Sequence, residues 1–330
     1  MAVCVPGMEP VAADEIGEAF IKANNVRTER GKVYFDFTGP GMDPGGLKCS
    51  DNVYRLYRRF CVCGHKSDLP AIAEAAAGIG FETDGGNRGR VIVSASVRGR
   101  HTYSRFEAAE WVAESLAASG RFIRGKKDGY DLAVRIDIAD GICEISEKLT
   151  EPGMRFRGSF ISAPGGIRPT VAHCLVRLGK PRRSDVFYDP FCGAGTVAFE
   201  RSFYPCGKIF ASDINADITE IARQNLGGAA VVFTRDALDT CMKSGSVSSV
   251  VTNMPWGAQV AVENIDGLYK GFLGELKRIL DERGRAVILT EYGRFASVCG
   301  EAGMNCERLA GLSLHGRRPS VYGVSRARLD

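Results

Sequence analysis

Two short segments carry the residues best suited to chemistry. The first is Asp189-Pro-Phe-Cys-Gly-Ala-Gly-Thr196, between the apolar run Val186-Phe187-Tyr188 and the run Val197-Ala198-Phe199. That order spells a buried strand, a glycine turn and a helix start, the place where a backbone comes close to a ligand. The second is Asn253-Met-Pro-Trp256, after the apolar strand Val250-Val251-Thr252. An amide and a flat ring at a strand's end can hold a planar nucleophile. Together the pair suits transfer of a methyl group to the exocyclic amine of a base.

The elements around these segments alternate. Strand patterns cover 185–188, 208–211, 230–233, 249–252 and 285–289, and helical patterns cover 170–178, 196–202, 218–225 and 268–280. This rhythm predicts a parallel, doubly wound sheet with ligands at the carboxyl ends of its strands. Two short runs, 313–315 and 321–324, predict a closing antiparallel hairpin. The front half reads differently. Helices over 11–23, 68–77 and 105–119 are mixed with strands over 32–37, 90–97, 130–138 and 142–147, and Asp140-Gly141 marks a hairpin. Residues 39–46 read as a loop. The expected organisation is therefore an α+β N-terminal region followed by an α/β domain.

Gly193-Ala-Gly195-Thr-Val-Ala198 also fits a loose dinucleotide fingerprint, with Asp213 placed to hold ribose hydroxyls. A nicotinamide-dependent oxidoreductase is thus a rival. Asp189 counts against it, because a carboxylate at the strand tip repels a pyrophosphate. The same carboxylate would attract the ammonium of S-adenosylmethionine, which has no phosphate. Asp236 follows the third strand and could accept from an adenine amino group, although aspartates are also common in turns. Neither Cys192 nor Cys241 is expected to act as a nucleophile, for neither sits where a thiolate attack needs one.

Composition sets the outer bounds. The chain has 330 residues, is 45% hydrophobic and carries a formal charge of +4. No apolar run reaches the ~20 residues of a membrane helix, and the acidic first helix is no secretion signal. Eleven cysteines without a CxxC pair fit reduced thiols, hence a cytoplasmic protein. Cys61, Cys63 and His65 lack the second ligand pair of a zinc site, so no metal is expected. Between Arg88 and Lys127 stand nine basic residues and three acidic ones, a bounded patch that suits a polyanion and, from charge alone, equally an ordinary solvated face.

These segments together resemble the THUMP-domain tRNA guanine-N2 methyltransferases over nearly the whole chain. The likeness rests on Asp189–Thr196, on Ser212-Asp-Ile-Asn215, on Asn253-Met-Pro-Trp-Gly257, on Val5–Glu15 and on Ser94–Arg105. It implies a ferredoxin-like segment over 1–65, a THUMP-like RNA-binding domain over 66–165 and a Rossmann-like methyltransferase domain over 166–330. It implies S-adenosylmethionine as cofactor, held by Arg168, Pro169, Thr170, Asp189, Phe191, Cys192, Gly193, Gly195, Thr196, Asp213, Ile214, Asp236 and Ala237. It implies catalysis by Asn253, Pro255 and Trp256, and tRNA docked at its acceptor end by Arg98, Arg100 and Arg105. Met254 and Trp256 depart from the family's Asn/Asp-Pro-Pro-Tyr segment, which leaves the target nucleotide open. Methylation of another exocyclic amine, in rRNA or DNA, stays an alternative, as does an RNA-binding protein without activity. The oligomeric state is left open, with a monomer as the expectation.

Overall fold

The computed structural model describes residues 1–20, 22–37, 43–82, 88–150, 154–158, 160–256, 264–314 and 316–327. Residues 39–42, Gly257 and His315, parts of three segments singled out above, lie outside them. By packing, the chain forms two compact units: Asn52–Glu151 with Met1, and Ala2–Asp51 with Pro152–Asp330. The boundaries expected at 65/66 and 165/166 follow motifs, whereas this division follows where side chains pack.

The larger unit opens with β1 (Ala2–Val3), α1 (Glu9–Ala19), β2 (Ala23–Glu29) and β3 (Lys32–Phe37), with β1 and β2 both antiparallel to β3. The helix ends at Ala19, short of the expected 23. Phe20 turns in against Phe37, ring centroids 5.0 Å apart, and the polar run that follows pairs as an exposed edge strand with no apolar period to announce it.

The smaller unit holds β4 (Asn52–Cys61), α2 (Asp68–Ala77), β5 (Gly89–Val97), α3 (Arg105–Ala118), β6 (Phe122–Arg124), β7 (Leu132–Ala139) and β8 (Ile142–Lys148). Its strands lie in the order β4-β8-β7-β5-β6. Leu132, Val134, Ile136 and Ile138 alternate into the core, and Leu69, Ile72 and Ala76 meet them from one helical face. Ser104 caps α3 in a complete capping box with Glu107.

The larger unit resumes with α4 (Pro169–Leu178), β9 (Val186–Asp189), α5 (Thr196–Arg201), β10 (Lys208–Asp213), α6 (Ala216–Leu226), β11 (Val231–Thr234), β12 (Val247–Asn253), α7 (Ile265–Ile279), β13 (Leu280–Thr290), α8 (Phe295–Glu301), β14 (Met304–Gly311) and β15 (Ser320–Arg326). The sheet order is β11-β10-β9-β12-β13-β15-β14. The first five strands are parallel, and β15 runs antiparallel to both β13 and β14. The closing hairpin is present, but its first strand is Met304–Gly311 rather than 313–315. Half of β14 is exposed, so its residues lack the alternation that marks a buried strand. The order reverses between β9 and β12, the switch point at which an open α/β sheet leaves a crevice.

A buried polar network fastens residues 2–51 to this sheet. Arg157 donates to Glu200 at 2.8 Å and to the Lys48 carbonyl at 2.8 Å, and His173 Nδ1 meets Glu200 at 2.8 Å. Glu15 accepts from the amides of Lys48 and Cys49. Glu15, Cys49 and His173 lie close enough to suggest a metal group. Their polar atoms are already occupied, however: His173 Nε2 meets the Tyr204 hydroxyl at 2.8 Å.

Candidate active site

A cavity of about 430 Å³ opens at the switch point, within the larger unit. Three of its polar walls are the last residues of three strands: Asp189 of β9, Asp213 of β10 and Asn253 of β12. Each strand carries its terminal side chain to the same edge of the sheet, which is how residues distant in sequence come to share a wall.

Asp189 is 1% exposed. Its Oδ1 accepts from Thr252 Oγ1 at 2.7 Å and from the Phe191 amide at 3.3 Å. Its Oδ2 is buried without a partner among the described residues. Burial pushes the carboxyl up to about 7, and the Asp213 charge adds to this against the two hydrogen bonds. A half-satisfied carboxylate in a cavity wall is complementary to a cation. Asp213 accepts from the Gly193 amide at 3.0 Å and from the Asn215 amide at 3.1 Å, tying the glycine turn to β10. Gly195 enters α5 at φ +86°, and a Cβ there would stand 3.1 Å from Leu226 Cδ1. Its role is the turn and its packing on α6, and it does not line the cavity.

Ile214 is 70% exposed beside the cavity, an apolar face suited to a planar ring. Asp236 and Ala237 line the far end, and Asp236 Oδ1 accepts from the Leu238 amide at 2.9 Å, a turn hydrogen bond. Phe191, Cys192 and Thr196 are also in the wall. Burial holds the Cys192 thiol well above its ordinary range, with Asp189 and Asp213 adding to it, so it stays neutral. Arg168, Pro169 and Thr170 are not in the wall. Arg168 and Thr170 each donate to Asp51 at 2.7 Å, and the loop before them, Ala163–Ile167, forms the wall instead.

Asn253-Met-Pro-Trp256 also lines the cavity. Asn253 Oδ1 and Trp256 Nε1 are buried without partners among the described residues. Met254 shows why a proline is absent here. Its amide donates to the Leu289 carbonyl at 3.1 Å, extending the β12–β13 pairing, and its side chain is wholly buried; proline has no such N–H. The Pro255 carbonyl accepts from the buried Tyr269 hydroxyl at 2.9 Å, and that hydroxyl lies 2.5 Å from Thr290 Oγ1.

Sequence reasoning passed over Tyr269, the 163–167 loop and Asn225. Asn225 hydrogen-bonds both Ile161 and the Ala194 carbonyl, clamping the loop to the glycine turn. Only Pro164-Gly-Gly166 gave a local signal, that of a turn. The arginines Arg98, Arg100 and Arg105 belong to the smaller unit. All three are exposed, after β5 and at the start of α3. The Cys63 thiol donates to Asp68 at 2.9 Å.

The chain is similar to known methyltransferases. Residues 159–318 match the UPF0020 family, described as RMKL-like, methyltransferase domain. The chain is 25% identical over 295 residues to a tRNA (guanine(6)-N2)-methyltransferase of Thermus thermophilus, covering 86% of this chain and 87% of that protein. Its fold superposes on the crystal structure of TrmN from Thermus thermophilus with a TM-score of 0.84 at 22% identity, over 99% of this chain and 98% of that one. SMU.472, whose crystal structure is complexed with SAH, gives a TM-score of 0.78 at 15% identity, over 100% of this chain and 98% of that one.

Proposed function

We propose that this chain is a THUMP-type tRNA guanine-N2 methyltransferase and methylates the exocyclic amine of a guanosine in tRNA. S-adenosylmethionine supplies an activated sulfonium methyl. The observation that carries the residue roles is the pair of orphaned buried acceptors among the described residues, Asp189 Oδ2 and Asn253 Oδ1, in residues that line one cavity at the ends of neighbouring strands.

Asp189 would hold the cofactor's ammonium, Asp213 its ribose hydroxyls, Ile214 one face of the adenine and Asp236 the adenine edge. Asn253 Oδ1 would accept a hydrogen from the guanine amine, whose lone pair is otherwise delocalised into the ring. The second lone pair of the Pro255 carbonyl, held in place by Tyr269, would accept the other. Charge then stays on nitrogen, and the gain is one of position and electrostatics. Trp256 would stack on a base drawn out of its helix. Docking of the tRNA acceptor end would fall to Arg98, Arg100 and Arg105. Eleven free cysteines suit a reducing compartment, and we place the enzyme's work in the cytoplasm. Among the described residues no helix is long and apolar enough to cross a membrane.

The test is incubation with methyl-labelled cofactor and unmodified total tRNA, followed by nucleoside analysis. Label in N2-methylguanosine is the expected result; label confined to another base would overturn it. Asn253→Ala should lower kcat by about 10²–10³ while melting and cofactor affinity stay near wild type.

A further inference from the structure

A second cleft of about 380 Å³ lies on the larger unit, and three arginines wall it: Arg30, Arg308 and Arg318. They come from separate pieces of chain. Arg30 is in the turn between β2 and β3, whose Gly31 rests against Pro6. Arg308 is on β14, with Nε donating to Ser320 Oγ at 3.1 Å. Arg318 is in the loop before β15, fixed by its amide on Glu291 at 2.8 Å.

The backbones beneath them meet closely. A Cβ on Gly7, at φ +102°, would stand 2.1 Å from the Gly311 carbonyl oxygen, so only glycine fits. The Ser313 amide donates to the Pro6 carbonyl at 3.1 Å. A Cβ on Gly311 would stand 2.4 Å from Arg308 Nη2, so that guanidinium lies across bare backbone.

None of the three guanidinium groups meets a carboxylate among the described residues. Two acids that touch the backbone of the lining are committed elsewhere. Glu9 accepts from the amides of Gly7 at 2.9 Å and Gly31 at 2.6 Å. Glu291 accepts from Arg317 at 2.7 Å as well as from the Arg318 amide. Three unpaired like charges around one cleft repel one another, and an anion relieves that repulsion. Guanidinium forks suit a phosphate, whose oxygens accept several N–H groups at once. The described lining has no aromatic ring on which a base could stack.

The strand register relates the cleft to the catalytic cavity. Asn253 pairs with Leu289, Thr290 with Ser320, and Ser320 with Gly311. Gly311 is therefore three strands from Asn253 at the same edge of the sheet, about 15 Å at the usual strand spacing. A duplex strand advances about 3.4 Å per nucleotide, so that separation is a few nucleotides of RNA.

We propose that this arginine cleft binds a backbone phosphate of the substrate RNA a few nucleotides from the target base. This rests on the tRNA methyltransferase reading above. The larger unit then grips RNA itself, independently of the arginines on the smaller unit.

The test uses the full chain with Arg30, Arg308 and Arg318 replaced together, by Ser in one variant and by Lys in another. All three side chains are exposed, so both variants should melt like wild type. Affinity for unmodified tRNA is measured across a salt series, with S-adenosylhomocysteine binding alongside. The serine variant should bind tRNA about tenfold more weakly, and its log-affinity against log-salt slope should fall by about one unit. The lysine variant should recover most of the slope, and cofactor-product affinity should not move. A serine variant with wild-type tRNA affinity and slope, in a preparation whose wild type methylates tRNA, would overturn the cleft alone. A cleft that takes inorganic phosphate while tRNA affinity is unaffected by the serine changes is a small-anion site, and overturns the RNA assignment. A wild type that neither binds S-adenosylhomocysteine nor labels tRNA would overturn the enzymatic reading instead.

Discussion

Asp189 joins an unusual protonation state to a specific contact. An aspartate near 3.9 in water is pushed here up to about 7 by burial. A raised acid is penalised where the folded protein holds its proton and the unfolded chain does not. Its presence therefore lowers stability as pH rises from about 4 to about 7, after which the cost levels off. A bound ammonium favours the carboxylate, so cofactor binding below pH 7 should expel a proton. Affinity for S-adenosylhomocysteine should then fall toward tenfold per pH unit below about 7. Calorimetry in buffers of differing ionisation enthalpy measures the proton release. Asp189→Asn should bind more weakly and lose this pH dependence; a wild type whose affinity is flat from pH 5 to 8 would remove Asp189 from the ammonium site.

At the scale of elements, α7 and β13 support the Asn253–Trp256 segment through one hydroxyl. Tyr269 is fully buried, and its oxygen joins Thr290 of β13 to the Pro255 carbonyl. On the proposed mechanism Tyr269 is a positioning residue. Tyr269→Phe leaves two buried polar groups short of a partner, which should cost about 1–3 kcal/mol of stability. A purely structural role would stop there. Loss of the fixed carbonyl should also lower kcat with little change in KM, read from steady-state methylation well below the melting temperature. A variant that melts lower but keeps wild-type kcat would confine Tyr269 to packing.

At the scale of the molecule, the two compact units divide the chemistry from part of the expected RNA contact. On the smaller unit Arg105 lies 4.7 Å over the Phe106 ring, which is 71% exposed, and Trp111 is 44% exposed nearby in sequence on α3. Cationic and aromatic groups left in solvent suit phosphates and unstacked bases. Replacing Arg98, Arg100 and Arg105 together with Ser should weaken tRNA binding and lower its salt slope by up to about one unit per lost phosphate. Affinity for S-adenosylhomocysteine should be unchanged. Intact tRNA binding in that variant would exclude this loop from the interface.

The parallel strands, the glycine turn and the chemical types at the strand ends are legible in the order of amino acids alone. Those signals are local: a buried strand is an apolar run, and a turn at φ +86° needs the glycine found at 195. That order also places Asp189, Asp213, Asp236 and Asn253 at strand ends, where a doubly wound sheet gathers them. Only the tertiary structure decided which lone pairs are left over. Among the described residues Asp189 and Asn253 each keep a buried oxygen unpaired, whereas Arg168 and Thr170 spend their hydrogen bonds on Asp51. Whether a polar atom is satisfied depends on partners scores of residues away, so no window of sequence can report it. The same holds for Tyr269 on the Pro255 carbonyl and for three arginines gathered from β14, a hairpin turn and a loop. β14 itself was missed because half of it faces solvent, and pairing with β15, rather than any pattern of its own, makes it a strand.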